Sequence, residues 1–105
     1  MSVTVVATFT PKPGASALII DAFRQISPEV HQERGCEIYA CNIESSGERV
    51  VMVESWASHN DLDAHANGEP LQKLRDLTNP HVQFPYEVMV LDPILLGDPL
   101  KGALL

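Results

Sequence analysis

Glu54, Trp56 and His65 are the residues whose types and spacing could do chemistry together. In VMVESWASHNDLDAH, Val51 to His65, a glutamate and the chain's only tryptophan stand two apart, and a histidine follows nine residues after the tryptophan. Residues two apart on a strand leave the same face. A strand that ends at Trp56 therefore aims a carboxylate and an indole the same way. On a helix that begins near Ser58, the residues Leu62, His65 and Ala66 fall on one stripe. If that stripe packs back on the sheet, the imidazole comes down near the indole. The result is a mostly apolar pocket holding one base, one acid and one indole. Met52, on the same strand face, and Tyr39, on the preceding strand, add to its wall.

The elements that must position these residues can be read from periodicity. Ser2 to Thr10 alternates and is rich in β-branched residues, with Val3, Val5, Ala7 and Phe9 on one face. The spacing of Ile19, Phe23, Ile26 and Val30 predicts a helix. Pro28 interrupts it, so either one kinked helix or two short ones is expected, ending before Gly35. Cys36 to Glu44 reads as the second strand and Arg49 to Trp56 as the third, joined by the turn SSGE. Ser58 and Asp61 form a weak capping box for a helix through about Asn67. Pro70 opens another helical turn with Leu71, Leu74 and Leu77 on one side. His81 to Asp92 reads as strand four, where Pro85 implies an edge or a bulge.

The order strand, helix, strand, strand, helix, strand is the split βαβ pattern of a ferredoxin-like α+β domain with a four-stranded antiparallel sheet. It spans residues 1–92, and 93–105 form a C-terminal tail. Strands three and four are apolar on both faces, yet the helices can cover only one. The other face calls for a partner, and a second copy of the chain is the simplest one. The tail, ILLGDPLKGALL, is also too apolar for a free end. It is expected to pack on its own core or on the neighbouring subunit.

Several function classes are disfavoured. The 105-residue chain has 14 acidic against 7 basic residues and a net charge of -7, which offers nucleic acid no basic surface. No stretch approaches a membrane span, and no secretory leader is visible, so a cytoplasmic location is expected. There is no glycine-rich nucleotide loop, no CxxC and no HExxH, and His59 and His65 are spaced poorly for one metal. No cofactor is therefore expected. Cys36 and Cys41, placed on one strand, should face opposite ways about 16 Å apart and stay unpaired. His31, His59 and His81 read as surface residues.

The segment VESWASHNDLDAH resembles the strand-to-helix segment of the antibiotic biosynthesis monooxygenase family, where an acidic residue and a Trp close strand three and a His sits in the next helix. KPG at Lys12 to Gly14 and RGCEIY at Arg34 to Tyr39 are similar to the family's turn after strand one and its entry to strand two. The resemblance covers roughly residues 3–92 and stops short of the tail. It implies a dimeric α+β barrel with a pocket in each subunit between sheet and helices. Members include quinol and polyketide monooxygenases that need no metal or flavin, haem-degrading enzymes and signal-molecule processing enzymes. The haem-degrading members place an Asn on strand one facing the pocket. No Asn stands in VTVVATF, which disfavours that activity here.

The resemblance assigns roles residue by residue. A phenol or quinol, once deprotonated, can pass an electron directly to O2. The protein must bind a flat apolar substrate, place a base and exclude water. His65 would be the base, Trp56 would stack on the substrate, and Glu54 would orient a pocket group or pair with a basic residue. Met52, Tyr39 and Leu62 would line the substrate site. Each residue also has a plain structural reading: Trp56 as core, His65 as a packed helix histidine, Glu54 as an ion-pair member. Two other functions use the same scaffold, a dimeric barrel that binds a small apolar molecule without turning it over, and an isomerase that moves a proton with His65.

Overall fold

A computed structural model of the chain describes residues 2–104. The elements run β1 (Val3–Phe9), α1 (Ser16–His31), β2 (Cys36–Ile43), β3 (Val50–Trp56), α2 (His59–Ala66), α3 (Glu69–Thr78) and β4 (Glu87–Leu91), with a 3-10 turn over Asn79–His81 before the last strand. The four strands form one antiparallel sheet in the order β2-β3-β1-β4. This is the expected ferredoxin-like α+β arrangement.

The core lies between the sheet and the helices. Val3, Val5, Ala7 and Phe9 of β1 are buried and meet Ile19, Phe23, Ile26 and Val30 of α1. All four α1 side chains are at most 1% exposed. Fully burying side chains of this size contributes roughly 1.5–3 kcal/mol each. Pro28 lies inside α1, which continues as one helix to His31. Proline cannot donate to the carbonyl four residues back, but the helix needs only one more turn to bring Val30 down on the core.

The hairpin pairing sets the site's phase. Tyr39 lies opposite Glu54 and Cys41 opposite Met52. A bulge between Cys36 and Ile38 then brings Cys36 opposite Trp56. The expectation that the two cysteines face opposite ways fails for this reason. One extra residue shifts the alternation, and both thiols lie opposite residues of the helix-covered face. Both are free. Glu37, the extra residue, accepts hydrogen bonds from Ser2 and Ser55.

Strand four is shorter than the expected His81–Asp92. His81 closes the 3-10 turn, Val82 makes only an isolated bridge to Pro11, and regular pairing begins at Glu87. Pro85 has no N–H to give a ladder, so pairing starts beyond it, on the sheet's edge. From Val88 to Leu91 every β4 side chain is at least 41% exposed, whichever face it occupies. Residues 94–104 have no regular structure, and Ile94, Leu96 and Leu100 are all more than 70% exposed. No described helix is long and apolar enough to cross a membrane.

Candidate functional site

Four side chains from three segments meet at one end of the core. Glu54 and Trp56 leave the same face of β3, and the indole Nε1 donates a hydrogen bond of 3.0 Å to Glu54 Oε1. His65 comes from α2, whose first turn is capped by Ser58 accepting from the Asp61 N–H at 3.1 Å. The imidazole stacks on the indole with centroids 4.4 Å apart and planes 27° apart. Tyr39 presents its ring edge-on to the imidazole at 5.6 Å. Trp56 is fully buried, and Glu54, His65 and Tyr39 are 4–6% exposed.

A fifth side chain comes from the loop after α1. His65 Nδ1 lies 2.8 Å from Glu33 Oε1. A carboxylate can only accept, so Nδ1 carries the hydrogen. In the neutral ring the lone pair then falls on Nε2, which stands 3.9 Å from Glu54 Oε1. A carboxylate fixing one ring nitrogen so that the other is free is the usual means of setting a histidine's tautomer. Gly35, two residues on, turns this loop toward β3 and packs closely on α2. It has φ of 79°, its carbonyl accepts from the Ala57 N–H at 2.8 Å, and it sits where an added Cβ would fall 2.3 Å from an Asp61 carboxylate oxygen. Only glycine combines that backbone with that approach.

A cavity of about 120 Å³ opens beside this cluster. Its wall includes Tyr39, Met52 and Glu54 from the sheet and Leu62, His65 and Ala66 from α2. The expected helix stripe thus does face the sheet. Leu71, Leu74 and Arg75 of α3 and Tyr86 before β4 complete it on the other side. Trp56 does not line the cavity. Its face is taken by the imidazole, so the indole stands behind His65 and leaves no surface for stacking on a ligand.

Burial pushes the Glu54 carboxyl above its usual range. The Trp56 N–H and the His65 ring pull it partly back, and Glu33 adds to the rise. Burial likewise pushes the Tyr39 phenol far above its ordinary value, helped by the nearby Glu54 and Glu33 carboxyls. Tyr39 therefore stays protonated, and its hydroxyl can donate a hydrogen bond without giving up its proton. No group of three or more His, Cys, Asp or Glu among the described residues is arranged to hold a metal ion. The other histidines lie apart. His31 is exposed with Nε2 at 3.0 Å from the Tyr39 carbonyl oxygen, His59 pairs with Asp92 at 2.9 Å, and His81 sits in the 3-10 turn.

Glu33, Arg75 and Tyr86 were not legible as site residues. Arg75 follows Leu74 and lies four residues after Leu71, which puts it on the margin of an apolar stripe. That spacing was its available signal. Glu33 lies in a loop, where no periodicity reports direction.

The fold and cavity define a ferredoxin-like α+β domain with a small apolar pocket between sheet and helices. The profile of the antibiotic biosynthesis monooxygenase family matches residues 2–77, and the chain belongs to that family. It is 32% identical over 73 residues to "Probable quinol monooxygenase YgiN" of Escherichia coli K12, covering 59% of this chain and 70% of that one. Among solved structures, Rv0793 from Mycobacterium tuberculosis superposes with a TM-score of 0.83 at 26% identity, over 90% of this chain and 96% of that one. A crystal structure described as antibiotic biosynthesis monooxygenase superposes with a TM-score of 0.80 at 25% identity, over 88% and 98%.

Proposed function

We propose that the protein is a monooxygenase that oxidises a single-ring quinol with O2 in the cavity beside His65. The observation that carries this reading is the His65 arrangement: a buried imidazole on an apolar cavity, with Nδ1 held by Glu33 and Nε2 left to accept a proton. The family relationship and the similarity to a protein named as a probable quinol monooxygenase support it.

The chemistry follows from the groups present. Nε2 takes a hydroxyl proton from the quinol, and the quinolate is electron-rich enough to reduce O2. One oxygen atom enters the ring in place of a hydrogen and the other leaves as water. Quinol plus O2 gives hydroxyquinone plus water, so atoms balance and the substrate supplies all the electrons. The imidazolium formed at His65 is stabilised by Glu33 and Glu54. Tyr39, held protonated, donates to the developing oxyanion. Apolar walls keep out water that would compete for the base.

Cavity size favours one ring over several. A dry apolar cavity of about 150 Å³ is known to take benzene. The space here is of that order. A polycyclic substrate would need the helices to move apart.

The working unit in this reading is a homodimer. The exposed apolar side chains of β4 and of the tail are the surfaces it would cover, with the tail seated on the partner. Oxygen uptake with a one-ring quinol tests the reaction. Quinol-dependent uptake that yields hydroxyquinone supports it, and binding of quinol without uptake contradicts it.

A further inference from the structure

The cavity has a second polar feature that the proton-transfer chemistry leaves unused. Four of the chain's seven lysines and arginines pair with carboxylates: Arg24 with Asp21, Arg34 with Asp61, Arg49 with Glu44, and Lys73 with Glu29. Lys12 and Lys101 are exposed to solvent. Arg75 differs from all of these. It is half-buried, lines the cavity, and forms no ion pair among the described residues.

Its guanidinium is held in place. Nε donates to the Tyr86 hydroxyl at 3.2 Å. The Tyr86 ring in turn stacks on the buried Phe9, with centroids 4.5 Å apart and planes 14° apart. The terminal nitrogens make no hydrogen bond among the described residues. A planar, fixed fork with free N–H groups is the geometry that grips a carboxylate through two bonds. Fixing it beforehand lowers the entropic cost of binding.

The cavity is also polarised along its depth. Tyr39, Glu54 and His65 are buried at one end, whereas Arg75 and Tyr86 are half-buried and Val88 is 50% exposed at the other. In a chain of net charge -7 an anion is repelled in general, so a lone cation at the cavity opening decides whether one is admitted. An anionic group turned inward would meet Glu54. Turned outward, it meets Arg75.

We propose that Arg75 is the specificity residue of the cavity and selects aromatic rings that carry a carboxylate, with the ring hydroxyl directed to His65. This rests on the reading of the cavity as the site that takes a phenolic ring, and it narrows the substrate class to a hydroxylated aromatic acid.

The test is binding of a pair of probes that do not react with O2. In calorimetric titrations para-hydroxybenzoate should bind the wild-type protein about 10-fold or more tightly than para-hydroxybenzamide, the gain expected of a charge-assisted hydrogen-bonded pair. Arg75→Met should collapse that ratio to about 2-fold or less, and Arg75→Lys, which keeps the charge but loses the fork, should retain part of it. Equal binding of the two probes by the wild type overturns the proposal, as does failure of para-hydroxybenzoate to bind at all. A ratio that survives in Arg75→Met also overturns it. The wild-type comparison needs no variant to fold. Because neither probe is oxidised, a protein that fails to consume O2 with quinols can still pass this test, and the two readings fail separately.

Discussion

The imidazole of His65 lies flat against the indole of Trp56, 4.4 Å between centroids, and the same indole donates its N–H to Glu54, 3.9 Å from the imidazole Nε2. Trp56 therefore touches both titratable groups without touching the cavity. It acts as a scaffold that fixes the distance between an acid and a base.

Trp56→Phe tests that role. It keeps a ring behind His65 but removes the donor to Glu54. The cavity left by the smaller ring costs stability at every pH. Loss of the hydrogen bond adds about 1–3 kcal/mol where Glu54 is ionised, and less where it is neutral and accepts only through its carbonyl oxygen. Urea melts should therefore show a larger loss at pH 8 than in acid. An equal loss at both would mean that the N–H does not stabilise the carboxylate.

Glu54 makes stability depend on pH in a defined direction. Its folded pKa is raised above the ordinary 4.5, chiefly by burial. Below that ordinary value the group is neutral in both states, and its contribution to stability is fully present. As pH rises through the raised value, that contribution is lost, because the folded chain resists ionising it. Glu54→Gln keeps an oxygen for the Trp56 N–H and removes the titration. Melting temperatures of wild type and variant should diverge in the variant's favour as pH rises from acid to neutral. A difference that is flat with pH, or that grows toward acid, would contradict the direction of the shift.

Glu33 holds His65 Nδ1 from outside the cavity wall, and in the proposed reaction it sets the ring's tautomer. Glu33→Gln keeps the shape but lets the amide present either an oxygen or an N–H to Nδ1. Turnover of a quinol should fall about 10-fold or more, as for other carboxylates that orient a functional histidine. KM should change little. A rise in KM with kcat intact would show that Glu33 shapes the pocket instead.

Dimerisation is tested by light scattering. The exposed apolar residues of β4 and of the tail predict a particle of twice the 11.5 kDa chain mass at micromolar concentration. A stable monomer would contradict it. Removing residues 93–105 should weaken the dimer if the tail seats on the partner.

The strands and the α2 stripe were legible because burial imposes a period. Val3 to Phe9 alternates, and Leu62, His65 and Ala66 recur as a helix face, so the convergence of Glu54, Trp56 and His65 could be read from spacing. What escaped the sequence broke the period. The bulge after Cys36 changed the phase of β2 by one residue and turned both cysteines toward the helices. Pro85 delayed β4 to Glu87. Glu33 reaches His65 from a loop that turns at Gly35 with a positive φ, and no alternation pattern reports that direction. Trp56 lies behind the His65 ring and off the cavity wall, an arrangement that residue spacing alone does not report.

The most direct test of the account is oxygen uptake by wild type and His65→Ala with the same one-ring quinol. The account predicts quinol-dependent uptake by the wild type, with hydroxyquinone as product, and a loss of roughly 10² or more in kcat for the variant, the contribution of a positioned general base. The variant's circular dichroism should match the wild type's, to show that it folds. Full activity in a folded His65→Ala protein, or no uptake above buffer by the wild type, would contradict the central claim.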